Sequence, residues 1–205
     1  CAVVSAGFQR QPLVLASASA ARRALMAGVG LTVDLQPADL DEEGLRQSHP
    51  DLGPADMAVR LAEAKAVAVS RMRPGVLVLG GDQILEDDGA IVSKADDLGE
   101  IAARLRGFRG RTHHLHSGAA LAKDGQVVWR QVDTAALTVR DFSEAWLATY
   151  LEAEGAALTG VVGGYRLEGP GAQLFARIEG DYFTVLGLPL WAVLEALRDQ
   201  GVIDR

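Results

Sequence analysis

The stretch Val76-Leu77-Val78-Leu79-Gly80-Gly81-Asp82-Gln83 contains the pattern that decides the fold. Its consecutive apolar residues predict a strand that is buried on both faces, as the parallel strands of α/β sheets are. The two glycines are expected to end this strand and to let a ligand approach the backbone. Because ligands of open α/β sheets bind beyond the carboxyl ends of the strands, Asp82 stands where it could serve acid-base chemistry or hold a metal. An ordinary turn aspartate is the competing interpretation.

The composition is that of a globular protein with one domain or two small lobes. The chain has 205 residues, 49% of them hydrophobic, and a formal net charge of −7. No basic stripe is present, which argues against nucleic acid as a partner, although a free nucleotide needs only a few local cations. The single cysteine, Cys1, leaves no internal disulfide and fits a reducing compartment. Without an apolar run of about 18 residues or a signal-peptide pattern, we expect a cytoplasmic protein with no membrane contact.

A serine-containing loop follows the first predicted strand. Residues 13–16 are apolar and predict a short strand, and residues 20–29 predict a helix. Ser17 and Ser19 lie between them, and Arg22 falls in the first helical turn. Free backbone N–H groups and the helix dipole make such a place a candidate anion site. Plain capping of the helix by Ser19 is the alternative interpretation.

The clearest helix is expected over Pro54–Met72, with Pro74 and Gly75 behind its end. Lys65 falls on its apolar face, four residues after Leu61. A lysine in this place must either extend its amine to water or meet an anion. Its neighbour Glu63 is expected to point toward solvent.

Two groups of side chains could hold a metal. An acidic run precedes the long helix and could bind a divalent cation through oxygen, although such runs are usually solvated. It consists of Asp39, Asp41, Glu42 and Glu43. Three histidines, His113, His114 and His116, begin a β-rich run. Since alternate residues of a strand face opposite sides and no cysteine is nearby, we expect them to be structural or to support the site from behind.

The order of elements predicts a mixed, elongated α/β fold with two lobes around a central cleft. The first half carries helices and parallel-type strands, and hairpin signals follow at residues 87–89 and 123–125. Further helices are expected over residues 97–107 and 143–154. The glycine-rich residues 163–171 match neither the dinucleotide fingerprint nor the Walker A loop, which argues against a Rossmann-type oxidoreductase.

Taken together, these stretches resemble the Maf family of nucleoside triphosphate pyrophosphatases over nearly the whole chain. The matching motifs are Leu-Ala-Ser17-Ala-Ser19 with Arg22, Asp41-Glu42, Glu63-Ala-Lys65-Ala, Gly81-Asp82-Gln83, Lys94, Gly110-Arg111-Thr112-His113, Glu168-Gly169, Ile178-Glu179-Gly180-Asp181-Tyr182 and Gly187-Leu188-Pro189-Leu190. The resemblance implies one Maf-like (ITPase-like) domain over residues 13–205 behind an N-terminal arm of residues 1–12, and a homodimer. Three family positions differ here, where Ala20, Ala95 and Val161 replace two prolines and a lysine.

The resemblance also implies hydrolysis of a nucleoside triphosphate to the monophosphate and pyrophosphate, for nucleotide-pool cleansing. It makes Asp82 the proton acceptor that activates water, with Glu42, Lys65 and Lys94 as further catalytic residues. A divalent cation, usually Mg²⁺ with Mn²⁺ as the alternative, would be held by Asp82 and Glu42. The substrate-binding positions are Ser17, Ser19, Ala21, Arg22, Gln83 and Glu168. A non-catalytic nucleotide-binding regulator of cell division remains an alternative.

Three positions bear on the base of the nucleotide. The family branch that resembles 7-methyl-GTP hydrolases has the glutamine and glutamate found here at Gln83 and Glu168, whereas the dTTP and UTP branch has threonine and glutamine. Ala21 fits neither branch. A carboxylate only accepts hydrogen bonds, and guanine presents two adjacent donors. We therefore expect 7-methyl-GTP as the substrate, with dTTP or UTP as the alternative.

Overall fold

One mixed sheet organises residues 7–205, the part of the chain that the computed structural model describes. Residues 1–6, which include Cys1 and the start of the expected arm, lie outside the described residues. The strands are β1 (Leu13–Leu15), β2 (Asp34–Leu35), β3 (Leu77–Asp87), β4 (Ala90–Val92), β5 (Thr112–Lys123), β6 (Gln126–Val139) and β7 (Phe175–Glu179). The helices are α1 (Ala20–Gly28), α2 (Glu42–Gln47), α3 (Pro54–Met72), α4 (Leu98–Phe108), α5 (Glu144–Glu154), α6 (Tyr182–Val185) and α7 (Leu190–Asp199). Short 3₁₀ helices at Gly155–Leu158 and Pro170–Leu174 lie between α5 and β7.

The sheet has seven strands within the described residues, in the order β2-β1-β3-β5-β6-β7, with β4 paired to β3 beside this path. β1 is parallel to both β2 and β3. The pairings of β3 with β4 and β5, of β5 with β6 and of β6 with β7 are antiparallel. The mixed α/β class predicted from the sequence is therefore confirmed. Over the same residues, no helix is both long enough and apolar enough to cross a membrane.

The strand β3 does not end at its two glycines, so this prediction is wrong. It runs on to Asp87 and keeps its antiparallel pairing with β5 on both sides of them. A Cβ atom at Gly80 would lie 2.2 Å from the carbonyl oxygen of Ala62, so this glycine lets α3 pack closely on the sheet. A Cβ atom at Gly81 would lie 3.0 Å from Nε of Arg22. The glycines therefore make room for neighbouring protein atoms while the strand continues.

The helix α3 has the bounds predicted from the sequence, with Pro54 at its first position. Small residues allow its close contact with β3 and β5, and they are Ala58, Ala62 and Ala66. The expectation that Glu63 points to solvent is wrong, because Glu63 is buried and its Oε1 accepts a 2.6 Å hydrogen bond from Nη1 of Arg130 on β6. Since α3 lies against three neighbouring strands, its flank is covered as well as its central face.

The two largest apolar cores of residues 7–205 lie on either side of the middle of β3 and correspond to the two predicted lobes. One core surrounds α1 and α7 and includes Leu79 and Leu197. The other surrounds α4 and α5 and includes Leu85 and Leu147. The strand β3 contributes to both, and Asp82 lies on it between the two leucines. A functional group at this point is held by both cores.

Two segments expected to be loose or loop-like are ordered in the structure. The side chain of Gln9 exchanges hydrogen bonds of 3.0 and 2.9 Å with the backbone of Thr32, so this part of the arm is fixed. The acidic run forms α2, because Oδ1 of Asp41 accepts a 2.8 Å hydrogen bond from the N–H of Gly44 and caps the helix. Both corrections arise from hydrogen bonds that anchor otherwise weak local patterns.

Candidate active site

A cleft of about 850 Å³ lies beside the middle of β3. The catalytic, substrate-binding and metal-binding residues that the family resemblance implies all line it, namely Ser17, Ser19, Ala21, Arg22, Glu42, Lys65, Asp82, Gln83, Lys94 and Glu168. We call Glu42, Lys65 and Asp82 the charged centre. Residues 160–168, which line the cleft from the segment between α5 and β7, are called the glycine-rich wall.

Lys65 joins the two carboxylates of the charged centre. Its Nζ lies 2.6 Å from Oδ1 of Asp82 and 2.7 Å from Oε1 of Glu42. Asp82 is nearly buried, with 8% of its side chain exposed, whereas 39% of the Glu42 side chain is exposed. The close packing of α3 at Gly80 brings this part of the helix onto β3. Lys65 is therefore an ion-pair residue and does not merely extend to water.

The charges around Glu42 lower the pKa of its carboxyl group. Desolvation acts to raise this pKa, but the hydrogen bond and charge of Lys65, with the charges of Arg46 and Lys94, outweigh it. Glu42 is therefore ionised at neutral pH. Arg46 was missed from the sequence, although its place one helical turn after Glu42 is a usual signal for an ion pair. Its Nη2 lies 3.5 Å from Oε2 of Glu42.

Oxygen atoms of the charged centre are free to bind a divalent cation. Oδ2 of Asp82 is buried and has no hydrogen-bond partner within residues 7–205. Mg²⁺ prefers oxygen ligands and commonly uses one or two carboxylates, while water and phosphate complete its shell. Asp82 and Glu42 fit this requirement. Nowhere in the described residues do three or more His, Cys, Asp or Glu side chains gather into a metal cage.

Arg22 places a buried guanidinium behind the serine loop. Its Nε donates a 2.8 Å hydrogen bond to the carbonyl oxygen of Gly187, and its Nη1 donates one of 3.1 Å to Oγ of Ser17. Burial lowers the pKa of Arg22, while the negative charges of Asp82 and Glu42 oppose that effect. Because an arginine keeps its charge in proteins, Arg22 supplies a fixed positive charge on this side of the cleft.

The serine loop caps α1 and keeps its hydroxyl protons available. Oγ of Ser19 accepts a 3.3 Å hydrogen bond from the N–H of Arg22, which confirms the capping interpretation. Oγ of Ser17 accepts one of 3.2 Å from the N–H of Ser19. Since both oxygens act here as acceptors, each hydroxyl proton can still be donated to an anion. Capping and anion binding are therefore compatible, and anion binding stays a prediction.

Gln83 and Glu168 present acceptor oxygens to the cleft. Nε2 of Gln83 donates to the carbonyl oxygens of Thr184 and Val185, both at 3.0 Å, and lies 3.1 Å from Oγ of Ser117. These contacts use the donor side of the amide and leave Oε1 to accept from a ligand. Glu168 is exposed on the glycine-rich wall and adds two carboxylate oxygens.

Tyr165 fastens the glycine-rich wall to one of the two cores. Its hydroxyl lies 2.6 Å from Nε2 of His113, and both side chains are buried. The His113 ring stacks on Phe108 with 4.4 Å between the ring centres. Burial, with repulsion from His114 and Arg111, lowers the pKa of His113 to about 4. This histidine is neutral and structural, as expected, whereas the anchoring role of Tyr165 was missed because its partner is distant in sequence.

The family model and the curated relatives that this chain resembles agree with one another. A family model described as Maf-like protein matches residues 12–200. A nucleoside triphosphate pyrophosphatase of Caulobacter vibrioides is 47% identical over 194 residues, which cover 94% of this chain and 97% of that protein. A 7-methyl-GTP pyrophosphatase of Mesorhizobium japonicum is 44% identical over 196 residues, covering 95% and 98% respectively. A solved nucleoside-triphosphatase / dITP/XTP pyrophosphatase structure from Mycobacterium abscessus is 14% identical, with a TM-score of 0.40, over 93% of this chain and 95% of that chain.

Proposed function

This chain belongs to the Maf-like protein family, and on that premise we propose that its preferred substrate is 7-methyl-GTP or a closely related modified purine nucleoside triphosphate. It is a hydrolase of the nucleoside triphosphate pyrophosphatase class. The charged centre supports the hydrolysis, because Lys65 bridges Asp82 and Glu42 in a cleft that Arg22 and Lys94 also line. The acceptor oxygens of Gln83 and Glu168 carry the choice of base.

Asp82 is the proposed general base. Hydrolysis needs a water molecule that loses a proton as its oxygen attacks phosphorus. The buried Oδ2 of Asp82 has no partner in the described residues and can accept that proton. Oδ1 accepts from Lys65 and keeps a second lone pair for a metal ion. A new O–P bond then forms as the bond to the oxygen that bridges the α- and β-phosphates breaks. Pyrophosphate and the monophosphate are released.

Fixed cations oppose the negative charge that develops on the phosphates. Lys65 and Arg22 are held by hydrogen bonds and need no rearrangement of solvent to act, which is the main advantage of a preorganised site. The exposed Lys94 also lines the cleft. We assign the metal to Asp82 and Glu42, with Mg²⁺ preferred and Mn²⁺ as the alternative. Bound there, such a cation would supply further neutralisation of phosphate charge and orient the attacking water.

The acceptor oxygens of Gln83 and Glu168 favour a base that donates hydrogen bonds. Guanine offers N1–H and the 2-amino group side by side, and one carboxylate can accept both. The positive charge of a 7-methylated ring would strengthen this pairing. Thymine and uracil instead place acceptors on both sides of a single N–H, so a carboxylate would face their lone pairs. Ala21 favours neither a purine nor a pyrimidine base.

A nucleotide panel tests the activity and the substrate together. Pyrophosphate release is measured with 7-methyl-GTP, GTP, dTTP and UTP, in Mg²⁺, in Mn²⁺ and in chelator. We expect the highest kcat/KM with 7-methyl-GTP and almost no release in chelator. In Glu168→Gln the kcat/KM for 7-methyl-GTP should fall about 10- to 100-fold, the scale of a hydrogen bond to a charged group. The exposed Glu152→Gln on α5 is the matched control.

Three results of this panel would contradict the proposal. A wild-type preference for dTTP or UTP, or an unchanged substrate ranking in Glu168→Gln, would exclude the purine assignment. Failure to release pyrophosphate from any nucleotide would favour the non-catalytic regulator instead.

We also propose a cytoplasmic homodimer that serves nucleotide-pool cleansing, and light scattering over a range of protein concentrations measures the dimer.

A further inference from the structure

Arg166 brings an unexpected positive charge to the glycine-rich wall. It lines the cleft two residues before Glu168, and 39% of its side chain is exposed. If its guanidinium were unpaired, it could bind the Glu168 carboxylate and remove the acceptor proposed for the base. It would also repel the positive charge of a 7-methylated ring. A site of the proposed specificity therefore needs a way to occupy Arg166.

Glu154 occupies Arg166 in the structure. Oε2 of Glu154 accepts a 2.8 Å hydrogen bond from Nε of Arg166, and 4% of the Glu154 side chain is exposed. Within residues 7–205, Glu168 has no ion-pair partner. The pKa of Arg166 is raised chiefly by its hydrogen bond with Glu154, and burial opposes this rise. The negative charges of Glu154 and then Glu168 raise the pKa of Arg166 further, so Glu168 interacts electrostatically with the guanidinium.

The position of Glu154 is unfavourable by ordinary helix rules. It is the last residue of α5, where the helix dipole disfavours a negative charge. The chain also folds back tightly on Arg166, since a Cβ atom at Gly171 would lie 2.5 Å from the carbonyl oxygen of Arg166. This glycine allows the segment to pack beside a buried carboxylate that helix stability alone would not select.

We propose that Glu154 is a positioning residue for base selection, which holds Arg166 so that Glu168 stays available to the nucleotide base. This inference rests on the proposed function. In this proposal Glu154 does not contact the substrate. Its effect should therefore appear in KM and in the substrate ranking, while kcat, which depends on the charged centre, stays near the wild-type value.

Substitutions at both members of the pair test the inference. Glu154→Met replaces the carboxylate with an apolar side chain of similar length. Arg166 then loses its partner and can turn to Glu168. We expect kcat/KM for 7-methyl-GTP to fall about 10- to 100-fold, mainly through KM, while kcat/KM for UTP changes little. The double variant Glu154→Met/Arg166→Met should recover most of this loss, because Glu168 is again unpaired. Glu152→Met, an exposed site on the same helix, is the control.

The double variant separates positioning from simple damage. If it is as impaired as Glu154→Met, or if Glu154→Met keeps the wild-type ranking, the inference is overturned. Should Glu154→Met not fold, Glu154→Leu and Glu154→Leu/Arg166→Leu replace the methionine pair, with binding of 7-methyl-GMP as the readout and the same recovery expected. A wild-type preference for dTTP or UTP overturns the proposed function as well, whereas a 7-methyl-GTP preference that Glu154 does not affect overturns this inference alone.

Discussion

The charged centre and the glycine-rich wall face one cleft but are built in different ways. The residues of the centre stand on regular elements, with Glu42 at the start of α2, Lys65 within α3 and Asp82 within β3. The wall has no strand or α-helix of its own and is fastened by side chains, above all Tyr165 and Arg166. On the proposed function, packed backbone would fix the catalytic groups, whereas recognition of the base would depend on a few side-chain anchors. Changes at the centre should therefore lower kcat, and changes at the wall should alter KM and ranking.

The largest effect is expected from Asp82→Asn. The amide keeps the shape of the side chain but cannot accept the proton of the attacking water. We predict a loss of about 10²- to 10⁴-fold in kcat, the usual scale for removal of a general base, with little change in KM. Steady-state kinetics with 7-methyl-GTP and circular dichroism of the folded protein provide the measurement.

The control for this substitution is Asp141→Asn, which changes an exposed aspartate before α5 in the same way. It should retain wild-type turnover. An Asp82→Asn enzyme with near-normal kcat would show that the proton goes elsewhere and would remove the main argument for a catalytic charged centre.

The second effect concerns the cation between the two carboxylates. Lys65→Met keeps the buried stem and removes the charge that holds Asp82 and Glu42. We predict a loss of about 10²- to 10³-fold in kcat, because a preorganised charge beside the phosphates is lost. Lys123→Met, at an exposed position at the end of β5, is the matched control. Unchanged kinetics together with higher stability in Lys65→Met would mean that this lysine serves only the packing of α3.

Local patterns were sufficient for much of the fold. The bounds of α3 follow from Pro54 and from the glycine and proline behind the helix. The two hairpins follow from Asp-Gly pairs, and both pairs have the positive φ angles that such turns require, at Asp88 and Gly89 and again at Asp124 and Gly125. Such signals act within a few residues, so no tertiary information is needed to interpret them.

The errors arose where distant contacts decide the outcome. Gly80 looked like the end of a strand because its contact with Ala62 cannot be deduced from neighbouring residues. Glu63 looked exposed because its partner Arg130 lies on β6. The residues expected at the site do line one cleft, since each motif is local, and their roles stay predictions. The pairing of Arg166 with Glu154 could not be predicted in this way, because it depends on how an irregular segment folds back.

A third prediction uses pH to test the anchor beneath the glycine-rich wall. The pKa of His113 is about 4 in the folded protein, against about 6.5 for an ordinary histidine. As the pH falls through this window, the unfolded chain binds a proton that the folded chain does not. The stability that His113 contributes is therefore complete above about pH 6.5 and is lost toward pH 4, with a decrease of about 2 kcal/mol at pH 5.

Urea unfolding at pH 7 and pH 5 measures this decrease. His113→Phe keeps an aromatic ring against Phe108 but cannot titrate, so its free energy of unfolding should fall less between the two pH values. His49→Gln, which removes a histidine after α2, should behave as the wild type does. An equal pH dependence in wild type and His113→Phe would show that this ring is not the group that resists protonation.

The smallest effect is expected from Tyr165→Phe, and it separates the two regions most clearly. The substitution removes one hydroxyl and leaves Nε2 of His113 without its 2.6 Å partner, while the ring still packs edge-on against Phe175. The free energy of unfolding should fall by about 1 kcal/mol, the typical value of one hydrogen bond. Because the wall loosens and the charged centre does not contact this hydroxyl, we predict a severalfold higher KM for 7-methyl-GTP with kcat unchanged. A fall in kcat at constant KM would instead mean that the loss of the Tyr165 hydroxyl disturbs the position of Asp82. The glycine-rich wall and the charged centre would then be structurally coupled.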